Sequence, residues 1–111
     1  MIHKFVTEEG VTIFRIEGKL IPSTVDLLRK NLENVLQRPG CKVVLTCNRA
    51  TVLDSLARDE LIRLVQEARK KEGRLVFAEM PPAMDRLMRL PEPKDLVQNF
   101  RTEEEAVQDL T

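Results

Sequence analysis

Aromatic residues are scarce in this 111-residue chain, which has no tryptophan, no tyrosine and only four phenylalanines. The sequence therefore offers no platform on which bases or sugar rings could stack. The 18 basic residues equal the 18 acidic ones, so the formal net charge is zero and no overall field attracts nucleic acid or anionic lipid. No apolar run approaches the roughly 20 residues of a membrane-spanning helix. We expect no nucleic-acid partner and no direct membrane insertion.

Residues that bind metals or form disulfides are also few. His3 is the single histidine, and no cysteine–histidine cluster has the spacing of a metal site, so we expect no metal and no cofactor. Cys41 and Cys47 lie at opposite ends of one predicted strand, about 20 Å apart at roughly 3.3 Å per residue, too far for a disulfide. We expect two reduced thiols. Because residues 1–4 lack a signal-peptide apolar segment, we also expect a cytoplasmic protein.

Motifs for nucleotide binding and hydrolysis are absent from the sequence. The four glycines, at positions 10, 18, 40 and 73, are scattered and form no phosphate-binding loop. Ser55 does not sit in a G-x-S-x-G elbow, and the single histidine lies in the first predicted strand. We therefore expect a protein that is not an enzyme.

Apolar periodicity predicts one domain, residues 1–111, in which strands and helices alternate. The predicted strands cover residues 2–6, 11–17, 43–47, 74–78 and 96–100. The predicted helices run from 23 to about 37, from 55 to about 71, from 82 to about 90 and from 103 to 110. This order predicts an α/β domain with a mixed sheet of four to five strands, an N-terminal hairpin followed by parallel strands. We expect its four helices to lie mainly on one face.

Several helix ends carry recognisable signals. Residues 23–26 and 102–105 both read as capping boxes, and residues 72–73 are expected to end the second helix with a glycine stop. The third helix is expected to break at residues 90–93, where prolines interrupt the pattern. Its inward face is predicted to carry Met84, Leu87 and Met88, with Leu90 as a further candidate.

Ser55 is the main candidate for a functional residue, because it lies directly after a polar connection and at the predicted start of a helix. The simplest interpretation is an N-cap whose hydroxyl accepts a backbone amide proton. The same place also suits a phosphate, because helix N-termini attract anions. Since Asp54 precedes it, a phosphate there would create repulsion that a bound partner would feel. Cap and phosphorylation site are compatible roles, so both remain open.

The chain resembles a STAS domain, the family of anti-sigma factor antagonists and of sulfate-transporter cytoplasmic domains. The resemblance covers nearly all of the chain and depends on four short segments in a characteristic order: FRIEGKL at residues 14–20, VVL at 43–45, VLDS at 52–55 and GRLVFA at 73–78. In the antagonists, the serine or threonine after the aspartate is phosphorylated by a partner kinase that is also the anti-sigma factor. That position is Ser55 in this chain.

The resemblance implies a partner-switching protein that binds an anti-sigma factor, a serine kinase-like protein or another regulator until Ser55 is phosphorylated. The implied contact surface has two segments: Leu20, Ile21, Pro22, Ser23 and Thr24 in the first, and Asp54, Ser55, Leu56, Ala57 and Arg58 in the second. The alternative is an adaptor subunit that is never phosphorylated and associates with itself or others, in a stressosome-type scaffold or a lipid-transport assembly. A nucleotide or small-ligand sensor is the least favoured function.

Three positions depart from the family pattern. Ile21 replaces a commonly acidic residue, Leu56 and Ala57 replace a small residue and a glycine after the serine, and Thr46 replaces a frequent aspartate or asparagine. An apolar Leu56 resembles the variants found in stressosome scaffolds. The sequence therefore leaves the branch of the family open.

Overall fold

The computed structural model describes residues 1–90 and 95–111. The strands are β1 (Ile2–Val6), β2 (Thr12–Leu20), β3 (Lys42–Leu53), β4 (Arg74–Ala78) and β5 (Asn99–Phe100). The helices are α1 (Pro22–Leu36), α2 (Ser55–Lys70), α3 (Pro82–Arg89) and α4 (Glu103–Leu110). Of these four helices, none is long and apolar enough to span a bilayer.

The strands form one mixed sheet in the order β1-β2-β3-β4-β5. β1 and β2 are antiparallel, and Gly10 adopts a φ of 83° in the turn between them. All later neighbours are parallel, each pair being connected through one helix. The predicted α/β class, the N-terminal hairpin and the parallel strands are confirmed.

Two apolar clusters lie on opposite faces of the sheet. The larger packs α1, α2 and α3 on one face, while α4 covers the smaller cluster on the other. Because side chains alternate along a strand, neighbouring residues join different clusters. In β3, for example, Leu45 belongs to the larger cluster and Val44 to the smaller one. The helices therefore lie mainly on one face, as predicted.

Three strands differ in length from the prediction. β2 continues to Leu20 and β3 to Leu53, where a loop and a polar connection were expected. These extensions pair with each other, residues 17–20 with residues 49–53, beyond the part of β3 that pairs with β4. Of the polar residues there, Lys19, Arg49 and Thr51 are exposed and Glu17 is half-buried, so the backbone pairing is compatible with their side chains. The last predicted strand is reduced to the two residues of β5.

The capping box predicted for α1 is wrong, and α2 ends close to the predicted residue but through a different residue of the predicted pair. α1 begins at Pro22 with Ile21 as its N-cap residue and no side-chain cap, so the box predicted at residues 23–26 does not form. At the end of α2, Glu72 rather than Gly73 adopts the left-handed conformation. Gly73 is required for a different reason, because a Cβ atom there would lie 2.4 Å from the Cys41 Sγ. The cap at Thr102 is confirmed, since its side chain accepts the Glu105 amide proton at 3.1 Å.

The inward face of α3 was predicted only in part. Met84 and Met88 are buried as expected, but Leu87 and Leu90 are 55% and 69% exposed. The break predicted at residues 90–93 lies mostly outside the described residues. Cys41 and Cys47 are both buried free thiols.

Candidate functional site

Ser55 is the first residue of α2, and its side chain is exposed. The N-cap residue is Asp54, whose carboxylate accepts the Leu56 amide proton at 2.8 Å and the Ala57 amide proton at 3.2 Å. The N-cap role considered for Ser55 therefore belongs to its neighbour. Because Asp54 already satisfies two of the amides that a helix start leaves unpaired, the Ser55 hydroxyl is not needed as a cap.

The sheet brings the two predicted contact segments together. Leu20 at the end of β2 is in register with Leu53 at the end of β3, and the Asp54 amide donates to the Leu20 carbonyl at 3.0 Å. Because β2 and β3 are parallel neighbours, the helices that follow them begin at the same edge of the sheet. The segments 20–24 and 54–58 thus form one continuous region.

The members of these segments differ in accessibility. Four are exposed: Pro22, Ser23, Ser55 and Leu56. Three are half-buried: Ile21, Thr24 and Asp54. The remaining three, Leu20, Ala57 and Arg58, are buried and cannot form the outer part of a contact surface. Leu56, at 65% exposure, is a highly accessible large apolar side chain within the group.

Arg58 has a structural role that the sequence did not reveal. Its Nε donates to the Leu87 carbonyl at 3.1 Å, and one Nη donates to the carbonyls of Met88, at 3.1 Å, and Leu90. The guanidinium also contacts the Asp59 carboxylate at 3.2 Å. Arg58 thus satisfies carbonyls at the end of α3 and connects that end to the start of α2. The available signal was its spacing, four residues before the buried Ile62.

A cleft of about 330 Å³ lies beside Ser55, between the start of α2 and the end of α3. Its lining combines apolar and charged side chains: Leu53, Asp54, Ser55, Arg58, Asp59, Leu87 and Leu90. The exposed leucines of α3, which had been predicted to face the core, are therefore part of the surface around Ser55. Such a cleft can accept an apolar side chain from another protein.

A second cleft, of about 530 Å³, separates the first turns of α1 and α2, and Pro22 and Leu56 both line it. On the same side of the molecule, Arg29 of α1 donates to Glu60 of α2 at 2.9 Å and to Glu67 at 3.0 Å. The hydrogen bond with Glu67 is the main cause of a raised pKa for Arg29. These two ion pairs help to fix the distance between the two helix starts.

Thr46, one of the departures from the family pattern, lies under α4. Its hydroxyl donates to Glu103 Oε2 at 2.7 Å, and Arg15 donates to Glu103 Oε1 at the same distance. The hydrogen bond from Arg15 is the main cause of a lowered pKa for Glu103. This polar group belongs to the face that α4 covers and does not contribute to the surface around Ser55. Within the described residues, no three His, Cys, Asp or Glu side chains are grouped to hold a metal ion.

Comparison with protein families gives a match over nearly the whole chain. The family model described as the STAS domain matches residues 4–106. The chain belongs to the STAS domain family. In a separate search, no curated protein gave a significant match to this STAS domain.

Solved structures share its fold at low sequence identity. The anti-sigma factor antagonist SpoIIAA in its unphosphorylated form has a TM-score of 0.78 at 16% identity, with coverage of 99% of this chain and 96% of SpoIIAA. The Bacillus cell fate determinant SpoIIAA in its phosphorylated form has a TM-score of 0.77 at 17% identity, with both chains covered completely. A chain of the stressosome, described as a signal integration and transduction hub, has a TM-score of 0.72 at 16% identity, with coverage of 97% and 95%. The five-stranded mixed sheet with four helices matches the STAS fold.

Proposed function

We propose that this STAS domain is a phosphoregulated partner switch that controls an anti-sigma factor, a serine kinase-like protein or a related regulator. Ser55 is the phosphate acceptor. The contact surface consists of the exposed and half-buried residues of segments 20–24 and 54–58. The domain itself catalyses no reaction, and it acts in the cytoplasm of a bacterium.

The observation that carries the proposal is the position of Ser55. It is exposed at the first turn of α2, its neighbour Asp54 holds the cap, and a cleft lined by apolar and charged side chains lies beside it. A hydroxyl in this position can enter a kinase active site without unfolding of the helix. The exposed Leu56 next to it, together with Pro22 and Ser23 on the adjoining turn, supplies the accessible surface that a partner would cover.

Local charge is sufficient to operate such a switch. A phosphate on Ser55 would add a charge of about −1.5 to −2 at pH 7 next to the Asp54 carboxylate. Burying that charge in an interface without a matching cation costs several kcal/mol. A micromolar complex has a binding free energy of only about −8 kcal/mol, so this cost is enough to dissociate it.

The test requires a purified partner. The partner is first captured from a lysate of the native organism with the wild-type chain as bait, and its Kd is then measured for wild type, for Ser55→Asp and for protein carrying phosphoserine at position 55. We expect phosphoserine to weaken binding by about 100-fold or more, and Ser55→Asp to weaken it less because it adds less charge. Incubation with the cognate kinase and ATP should add one phosphate, which Ser55→Ala prevents.

A matched control separates this local effect from overall charge. Asn34→Asp adds one negative charge at an exposed position late in α1, and we expect its Kd to equal that of wild type. Equal affinity of the phosphorylated and unphosphorylated chains for the captured partner would refute the switch.

One observation favours a second function, that of an adaptor subunit in a larger assembly. Leu56 is apolar and exposed in the first turn of α2, and the fold is shared with a chain of the stressosome. In that case, Ser55→Asp would leave the size of the complex on a sizing column unchanged. Leu56→Ser would reduce it.

A further inference from the structure

Arg58 connects the proposed phosphorylation site to another helix. Its side chain is nearly buried, and its donors hold the carbonyls of Leu87, Met88 and Leu90. These carbonyls belong to the last turn of α3 and the residue that follows it. The end of α3 therefore depends on a cation that is supplied by the first turn of α2.

Ser55 lies on the same side of α2 as this cation. Residues three apart on a helix are neighbours, with Cβ atoms about 5–6 Å from each other. Ser55 and Arg58 both line the 330 Å³ cleft, which confirms that the two side chains share one surface. A phosphate on Ser55 would therefore enter a cleft that the guanidinium already borders.

Among the described residues that line the cleft, groups other than Arg58 give a phosphate little to bind. The backbone amides of Leu56 and Ala57 could attract an anion at this helix start, but both already donate to the Asp54 carboxylate. Asp54 and Asp59 add two negative charges to the lining, and among the described residues that line the cleft Arg58 carries the single positive charge. The two carboxylates repel a phosphate on Ser55 and the guanidinium attracts it, so both effects favour contact between the phosphate and Arg58.

We propose that Arg58 reads the phosphorylation state of Ser55 and transmits it to α3. In the phosphorylated protein the guanidinium moves from the carbonyls of α3 to the phosphate, because the charged phosphate adds a Coulomb attraction and a bidentate geometry that neutral carbonyls do not offer. The last turn of α3 then loses its donors and loosens, and Leu87 and Leu90 change position at the rim of the cleft. This inference rests on the proposed phosphorylation of Ser55 and adds a conformational output to it.

Hydrogen exchange measures this output directly. Protein with phosphoserine installed at position 55 during translation is compared with the unphosphorylated chain, and exchange is followed in the peptide covering residues 82–90. We expect exchange there to become about tenfold faster on phosphorylation, while the amides of α1 keep their rates. In Arg58→Leu protein this peptide should exchange fast from the start, and phosphorylation should add nothing. Unchanged exchange of residues 82–90 on phosphorylation of the wild-type chain would overturn the proposal.

A phosphorus NMR titration tests the contact itself. A nearby cation favours the doubly charged phosphate, so the pKa of the phosphoserine should be lower in the wild-type chain than in the Arg58→Leu protein. Arg63→Leu, which removes an exposed arginine from the same helix, is the matched control and should leave that pKa unchanged. If Arg58→Leu is poorly folded, Arg58→Gln takes its place, because it removes the charge while keeping an amide that can donate to the carbonyls of α3. Equal pKa values in wild type and in the Arg58 variant that folds would contradict the contact.

Neither measurement uses a partner, so the two proposals fail separately. If phosphorylation releases the partner but leaves α3 unchanged, the switch stands and the role of Arg58 falls. If α3 loosens but the partner stays bound, the role of Arg58 stands and the switch falls.

Discussion

The first turns of α1 and α2 lie side by side at the same edge of the sheet, but they are built in opposite ways. α1 starts on Ile21 without a side-chain cap and enters the helix through Pro22, whereas α2 starts on Asp54, whose carboxylate accepts two amide protons. The fourth helical residue is Val25 in α1 and Arg58 in α2, and both are buried. The first turn of α1 is thus held by the buried Val25 side chain and the Pro22 ring. The first turn of α2 is held by charged side chains.

This difference explains why only one of the two starts suits regulation by charge. The α1 start depends on apolar contacts and backbone hydrogen bonds, which an added phosphate affects weakly. The α2 start depends on Asp54 and Arg58, whose interactions are electrostatic and respond to a new charge beside them. Four sets of substitutions test this comparison, and they follow in order of decreasing effect.

The largest loss of stability is expected from Arg58→Leu. The substitution leaves the carbonyls at the end of α3 without their charged donor, and we expect the free energy of unfolding to fall by about 2–3 kcal/mol. Urea unfolding measures this loss. Arg63→Leu, on the exposed side of the same helix, should stay within about 0.5 kcal/mol of wild type. Equal losses for the two variants would show that Arg58 does not support α3.

Asp54→Ala removes the cap of α2. We expect a loss of about 1 kcal/mol, because two amides at the helix start lose their acceptor. Asp54→Asn should retain most of the stability, since asparagine is also a good N-cap residue. The same urea unfolding compares both variants with wild type. Full stability of Asp54→Ala would mean that α2, like α1, needs no side-chain cap.

A substitution of Glu103 measures how much an anion at the first position of a helix contributes to stability. Ser55 occupies the same position in α2. Arg15 lowers its pKa below the ordinary value of 4.5 in the folded protein, so the ionised form is favoured by folding. Its contribution is therefore present above about pH 4.5 and is lost as the pH falls through the lower folded-state value. Since Arg15 is half exposed, we expect Glu103→Gln to cost about 1 kcal/mol or less at pH 7. The stabilities of Glu103→Gln and wild type should converge at acid pH, once Glu103 is protonated in the folded protein, and a difference that persists there would exclude the ion pair as its cause.

The smallest effects are expected from Ser23→Ala and Asp26→Ala in the first turns of α1. No capping box forms there, and Asp26 makes only an exposed ion pair with Lys30 at 3.3 Å. Each substitution should change the free energy of unfolding by less than about 0.5 kcal/mol. Thr102→Ala, which removes the cap of α4, is the positive control and should cost about 1 kcal/mol. A comparable loss for Ser23→Ala would show that Ser23 caps α1 as the sequence predicts.

The order of strands and helices could be predicted because burial sets the apolar period of each segment. The limits of β2 and β3 could not, since their ends depend on pairing with each other rather than on their own side chains. The sequence predicts that α1 starts one residue later than it does. The S-x-x-D pattern at residues 23–26 is typical of a capping box, but it also fits an exposed first turn without one. The direction of Leu87 depends on how α3 docks on α2, and no local pattern encodes that angle.

Within the candidate site, the exposure of Ser55 and the meeting of the two contact segments followed from the strand–helix pattern and the resemblance. The choice of Asp54 over Ser55 as the cap did not, because both side chains carry a suitable acceptor one residue apart. The contacts of Arg58 span 29 to 32 residues of sequence. Such long-range hydrogen bonds leave no local trace except a charged residue at an inward position.

The last helix has a practical consequence for handling this protein. α4 covers the second apolar cluster, in which Val44 and Val76 are almost completely inaccessible to solvent. A version shortened to end before Thr102 would uncover these valines on a face of the sheet. An exposed apolar sheet surface of this kind promotes aggregation. Purification schemes and fusion designs should therefore keep the chain through Leu110.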